Sequence, residues 1–181
     1  AVAGTAIVTC ASTGAVNITT GSNATNQASV TWTSSGSGTF ANANSLTTCT
    51  YTPSAADITA GSVTLTLTAY GNTPCGNATA TKTLNISKVM TAVAGTALTM
   101  CATTASLNIT AGASATNHTA VAWTSSGTGT FVNANSLSVC TYTPSAADKT
   151  AGSVTLTLTA TNAGCPAVVS TKVLTINGVA T

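Results

Sequence analysis

Ser62-Val63-Thr64-Leu65-Thr66-Leu67-Thr68-Ala69 alternates apolar and hydroxyl side chains without interruption. A strand turns successive side chains to opposite faces, so Val63, Leu65 and Leu67 fall on one side and Thr64, Thr66 and Thr68 on the other. The β-branched threonines themselves favour extended backbone. Gly61 precedes the stretch and the turn-forming Gly71-Asn72-Thr73-Pro74 follows it, which bounds one half-buried strand. The same eight residues return as Ser153-Val-Thr-Leu-Thr-Leu-Thr-Ala160, and that recurrence organises the whole chain.

Thr50-Tyr-Thr-Pro-Ser-Ala-Ala-Asp57 recurs at 141–148, Trp32 at Trp123, Cys49 at Cys140, and Ala1-Val-Ala-Gly-Thr-Ala6 at 92–97. About 50 of the first 69 positions are identical in the second copy, far more than biased composition alone produces. One residue is lost near Tyr70-Gly71, after which Cys75 aligns with Cys165, Lys82 with Lys172 and Ile86 with Ile176. The chain therefore divides into two domains, 1–91 and 92–181, each the size of a small sandwich. Further strands are predicted at 6–9, 15–19, 29–34, 46–52 and 79–87, with counterparts in the second copy. With Gly36-Ser-Gly38 as another turn, this spacing predicts an all-β chain of two tandem Greek-key β-sandwiches. Helical periodicity is absent apart from a single turn at 53–57. Trp32, Trp123, Tyr51 and Tyr142 sit in phase with aliphatic positions and read as core, not as a ligand platform.

Val179-Ala-Thr181 followed by Ala1-Val-Ala3 would restore the existing junction Val89-Met-Thr-Ala-Val-Ala94 almost unchanged. Repeat arrays usually end in atypical caps, and neither end here resembles one. The expected partners are therefore further repeats of the same polypeptide or copies of the chain itself, joined head to tail as a homopolymer.

Charged residues make up 3% of the chain: four lysines, two aspartates, no Arg and no Glu. Without a basic cluster there is no counterion release to drive nucleic-acid binding, which excludes that partner class. Hydration falls instead to Ser, Thr and Asn, with Ser and Thr roughly a third of the residues. An apolar fraction of 44% and a mean hydropathy of +0.39 argue for a folded core and against disorder. The near-neutral surface offers little electrostatic resistance to self-association. Thr interrupts every apolar run, so no membrane span is expected. No basic-then-apolar leader opens the sequence at Ala1, so an export signal is expected to have been removed or to lie outside it.

Trp-Thr-Ser-Ser-Gly-x-Gly-Thr-Phe, Tyr-Thr-Pro-Ser-Ala-Ala-Asp and Ala-Gly-Ser-Val-Thr-Leu-Thr-Leu-Thr-Ala, each present twice, carry a resemblance over nearly the full length. The chain resembles the tandem immunoglobulin-like or PKD-like repeats of large secreted and cell-surface bacterial proteins, notably those of Bacteroidetes. The resemblance implies immunoglobulin-like sandwiches serving in stalks, adhesins and spacer arrays. The chain departs from the pattern in lacking acidic residues that such repeats often carry and in holding a third cysteine per copy, which speaks against calcium binding.

Six cysteines without metal-type spacing read as disulfides, and so as a compartment outside the reducing cytosol. Two schemes are open. In an immunoglobulin-like sandwich the loop after the first strand and the loop between the last two strands lie at opposite poles. In a linear tandem this would bring Cys10 to Cys165 and leave Cys101 and Cys75 for neighbouring subunits. The local scheme pairs Cys10 with Cys49 and Cys101 with Cys140, leaving Cys75 and Cys165 to bond elsewhere.

One histidine, two aspartates at equivalent positions and no glutamate cannot build a paired-carboxylate or triad site, so no catalytic residue, cofactor site or metal site is assigned. His118, aligned with Gln27, reads as a solvated loop residue. Asp57 and Asp148 read as turn carboxylates accepting backbone N–H groups, and Lys82 and Lys172 as last-strand charges that discourage edge pairing. The functional expectation is a structural subunit or segment of an extracellular or cell-surface filament, stalk or array. The alternative is an adhesin-type module whose pole loops hold a glycan or protein, with the copies diverging at 24–29 and 115–120.

Overall fold

The computed structural model describes residues 1–178; Val179-Ala-Thr181, and with them the expected continuation into a next copy, lie outside the described residues. The chain forms two compact units. The first takes in Ala1–Val89 together with the tripeptide Ala163–Cys165, and the second takes in Met90–Asn162 and the chain from Pro166 onward.

The first unit comprises β1 (Ile7–Cys10), β2 (Val16–Asn17), β3 (Gln27–Ser34), β4 (Thr39–Ala41), β5 (Thr50–Thr52), α1 (Ala55–Ala60), β6 (Ser62–Gly71) and β7 (Ala78–Ser87). A four-stranded sheet in the order β1-β7-β6-β3 accompanies a three-stranded sheet in the order β2-β5-β4. The first strand runs parallel to the last, with Ile7 opposite Leu84, whereas β3, β6 and β7 pair antiparallel. Val63, Leu65 and Leu67 are buried between exposed or half-exposed threonines, as their alternation dictates. Burying such a side chain contributes about 2 kcal/mol, and a one-residue slip would turn all three to water, so this strand fixes the register. Trp32, Ile18, Cys49, Tyr51, Leu84 and Ile86 belong to the same cluster.

The second unit repeats the plan with β8 (Thr91–Val93), β9 (Leu98–Cys101), β10 (Leu107–Asn108), β11 (Ser114–Thr116), β12 (Ala120–Ser125), β13 (Thr130–Val132), β14 (Thr141–Thr143), α2 (Ala146–Ala151), β15 (Ser153–Thr161) and β16 (Val168–Asn177). Its sheets run β12-β15-β16-β9 and β10-β14-β13, and β8 with β11 forms a further two-stranded ladder. The chain is thus two tandem Greek-key sandwiches.

Two expected strands shrink for local reasons. Residues 46–49 are not extended, because the Ser45 hydroxyl accepts hydrogen bonds from the N–H groups of Thr47 and Thr48 and holds a turn. Asn17 likewise accepts from the N–H and hydroxyl of Thr19, ending β2 after two residues. The turn expected at 53–57 is a helix capped by Ser54 with a reciprocal Asp57 bond and closed by Gly61. Among the described residues, no helix is long and apolar enough to cross a membrane.

Candidate functional site

Each unit holds a buried carboxylate ringed by hydrogen-bond donors. Ser54 starts α1 and so aims Asp57 back into the sandwich, where the carboxylate is 3% exposed. Its Oδ2 accepts from the Tyr51 hydroxyl at 2.7 Å and from the N–H groups of Gly38 and Ser54 at 3.0 Å, and its Oδ1 accepts from the Ser37 N–H at 3.0 Å. Gly36 makes this possible: a Cβ there would lie 2.2 Å from Asp57 Oδ1, so any other residue would push the loop off the carboxylate. The Asp148 carboxylate repeats the arrangement with Tyr142, Gly129, Ser145 and Thr128. Burial works to raise each carboxyl, but the converging donors outweigh it; Asp57 is held below its ordinary value and Asp148 is brought to about 2. Four donors leave little free acceptor capacity on these carboxylates, which staple the Gly-x-Gly loop to the Tyr strand and the helix. Among the described residues, no three His, Cys, Asp or Glu side chains group to hold a metal.

Lys82 and Lys172 correct the expectation of exposed, edge-guarding charges. β7 lies between β1 and β6, not at an edge, and Lys82 is buried, its ammonium 5.2 Å from the centre of the Trp32 ring and 3.4 Å from the Thr20 carbonyl oxygen to which it donates. Lys172 stands equally over Trp123 and donates to the carbonyls of Ile109 and Ala111. The signal was present in the sequence: Lys82 is in phase with Leu84 and Ile86, on the inward face. Burial lowers the pKa of both lysines, partly offset by the neighbouring thiols of Cys49 and Cys140.

The cysteines fall into three classes. Cys10, at the end of β1, is bonded to Cys165, the pairing that sandwich topology favoured over the local one. Cys49 and Cys140 correct the local scheme: each is a free thiol fully buried in its core. Burial raises both, Cys49 to about 11 despite the Lys82 charge, so neither is a ready nucleophile. Cys75 and Cys101 are free and exposed. The first unit holds the bridge through the tripeptide as well: the Ser87 hydroxyl donates to the Ala163 carbonyl, and Gly164 comes so close to β1 that a Cβ would lie 2.8 Å from Val8 Cγ1.

His118 is not fully solvated. Its ring is half-buried and Nδ1 lies out of reach of any partner. The two copies differ locally here: β11 pairs with β8, whereas in the first unit the equivalent pairing is the single bridge of Val2 with Asn23.

No family model and no curated protein matches the chain. Among solved structures it is similar to the immunoglobulin domains 1–5 of Sidekick-1, with a TM-score of 0.53 and 16% identity over 97% of this chain and 38% of that one. A three-domain immunoglobulin segment of titin gives 0.47 at 14% identity over 98% and 63%, and the cadherin domains 3–6 of Protocadherin Gamma B2 give 0.36 at 18% over 82% and 41%. The chain thus spans less than two thirds of the length of each. At these identities the likeness concerns the fold, and with the Sidekick-1 domains it establishes that fold: a tandem of immunoglobulin-like β-sandwiches.

Proposed function

We propose that this chain is a non-enzymatic structural module of an extracellular or cell-surface assembly, joined head to tail with other copies through the poles of its sandwiches and through disulfides. The observation that carries the reading is the Cys10–Cys165 bond, which clamps a tripeptide far along the chain onto the first unit. A structural disulfide of this kind belongs to an oxidising compartment and resists extension of the chain between its ends. The low charge supports close packing of copies, and the two carboxylates, each engaged by four donors, are poor general acids or bases. The resemblance to repeats of bacterial surface proteins fits the same role. Negative-stain imaging of native material with and without reductant tests it: linear polymers are expected, and isolated particles under every condition would overturn it.

A second reading, an adhesin-type module, is favoured by one observation. A shallow groove lined by Gln27, Ser29, Asn44, Ser45 and Thr47, with Ala28, Val30 and Leu46 between them, offers amides and hydroxyls beside an apolar floor, a mixture that suits a glycan. Glycan-array binding lost on Asn44→Ala and Gln27→Ala substitution would support it.

A further inference from the structure

We infer that the exposed thiol of Cys101 forms a disulfide with Cys75 of a second copy of this chain, in the same pairing of positions that joins Cys10 to Cys165. This rests on the assembly reading above and names its joint. Cys101 is the repeat equivalent of Cys10, and Cys75 of Cys165. One equivalent pair is bonded within the chain; the other two members are both free and both exposed.

The surroundings of the two strand-end sulfurs match. Cys10 ends β1 opposite Ser87 of β7, and Cys101 ends β9 opposite Asn177 of β16. In each the next N–H donates to that partner's carbonyl, at 2.9 Å, and a turn closes back onto the cysteine carbonyl from the third residue on, also at 2.9 Å. Ser12 donates its hydroxyl to Cys10 Sγ at 3.3 Å, and Thr103 donates to Cys101 Sγ at 3.1 Å. The backbone and the hydroxyl donor around the sulfur that meets Cys165 in the first unit are therefore rebuilt in the second, with Asn177 in place of Ser87 and Thr99 in place of Val8. The Thr103 hydroxyl, then backbone donors, also pull the Cys101 thiol below its ordinary value, which favours the attacking thiolate.

The complementary loop is conserved in its sulfur and altered in its backbone. Pro74 stands where Gly164 has a φ of +88°, a conformation the proline ring forbids. The Cys75 loop cannot copy the close approach of Gly164 to its strand, so this joint leans on the sulfur bond more than the intrachain one does.

Bond formation needs an oxidant, here a low-molecular-weight disulfide such as oxidised glutathione. The Cys101 thiolate attacks one of its sulfurs and expels the first thiol; the Cys75 thiolate of the other copy then attacks Cys101 Sγ and expels the second. One S–S bond breaks and one forms, and the two cysteine protons end on the two departing thiols.

The test treats the 181-residue chain with oxidised glutathione and reads it on non-reducing gels with peptide mapping. The parent should give a ladder that collapses in reductant, while Cys75→Ser and Cys101→Ser variants each stay monomeric. Mixing the two variants should give dimers, nothing longer, and a Cys101–Cys75 peptide. Dimers from either variant alone, no dimers from the mixture, or a Cys75–Cys101 bond confined to monomers would each overturn the inference. Filaments formed by the C75S/C101S double variant would remove this bond as the joint while leaving the assembly reading standing; a ladder without filaments would do the reverse.

Discussion

Replacing Asp148 with asparagine removes the charge at the centre of the second unit's staple while keeping its size. Oδ2 accepts three donors, from Tyr142 at 2.7 Å and from Gly129 and Ser145 at 2.9 Å, and Oδ1 accepts the Thr128 N–H at 3.0 Å. An amide whose oxygen keeps the three must point its NH2 at the Thr128 N–H, so two donors face each other; the opposite orientation turns the NH2 on the N–H groups of Ser145 and Gly129. The fall of the Asp148 carboxyl from 3.8 to about 2 corresponds to about 2 kcal/mol favouring the ionised folded form. A stranded buried N–H adds about 1 kcal/mol, for a total near 3 kcal/mol. The chain has two tryptophans, one in each unit, so in a Trp32→Phe background Trp123 fluorescence reports the second unit. With a slope of about 2 kcal/mol per M in guanidinium, its midpoint should drop by roughly 1.5 M. A folded-state pKa below the unfolded one gives stability that is present above the unfolded value and lost as pH falls through the folded one. The parent's second unit should therefore weaken between about pH 4 and pH 2, a step that D148N should lack. An unchanged midpoint, or the same acid step in D148N, would refute the staple.

Gly36→Ala places a methyl 2.2 Å from Asp57 Oδ1 and 2.6 Å from Val63 Cγ1, and should destabilise the first unit by about 3 kcal/mol in denaturant melts. Lys82→Met exchanges a buried ammonium held by one 3.4 Å hydrogen bond and the Trp32 ring for an apolar chain of similar length, and should change stability by less than about 1 kcal/mol or raise it; a loss above about 3 kcal/mol would mean the charge is needed in place. In the folded single chain before oxidation, at mildly alkaline pH, iodoacetamide should label Cys101 and Cys75 readily and leave Cys49 and Cys140 untouched until the chain is unfolded, as mass spectrometry of peptides would record.

The sequence was most readable where one pattern ran long. Val63 to Leu67 alternates within a ten-residue strand, and the structure keeps that phase throughout. It was least readable where side chains compete with the backbone, as at Ser45 and Asn17, whose local hydrogen bonds cut short two strands that alternation suggested. β4 has no signature in the sequence, because three residues after Gly38 cannot display a period. Lys82 differs: its charge suggests exposure, whereas its place between Ala80 and Leu84, two residues from each, puts it in phase with the inward face. Asp57 was legible as a turn acceptor, but its link to Tyr51 joins residues on two separate elements and emerges only once the chain has closed. Three cysteines per copy gave the bridge its candidates; the burial that sets Cys49 and Cys140 apart depends on where β5 and β14 begin.

The parallel pairing of β1 with β7 has a mechanical corollary. Once the Cys10–Cys165 bond is reduced, tension on the first unit draws the start of its opening strand one way and the finish of its closing strand the other, along lines that run side by side from Ile7 beside Leu84 to Cys10 beside Ser87. Such a load slides the two strands past each other, and the bonds between them must rupture together, not peel off in turn as they would at a hairpin pulled from its open end.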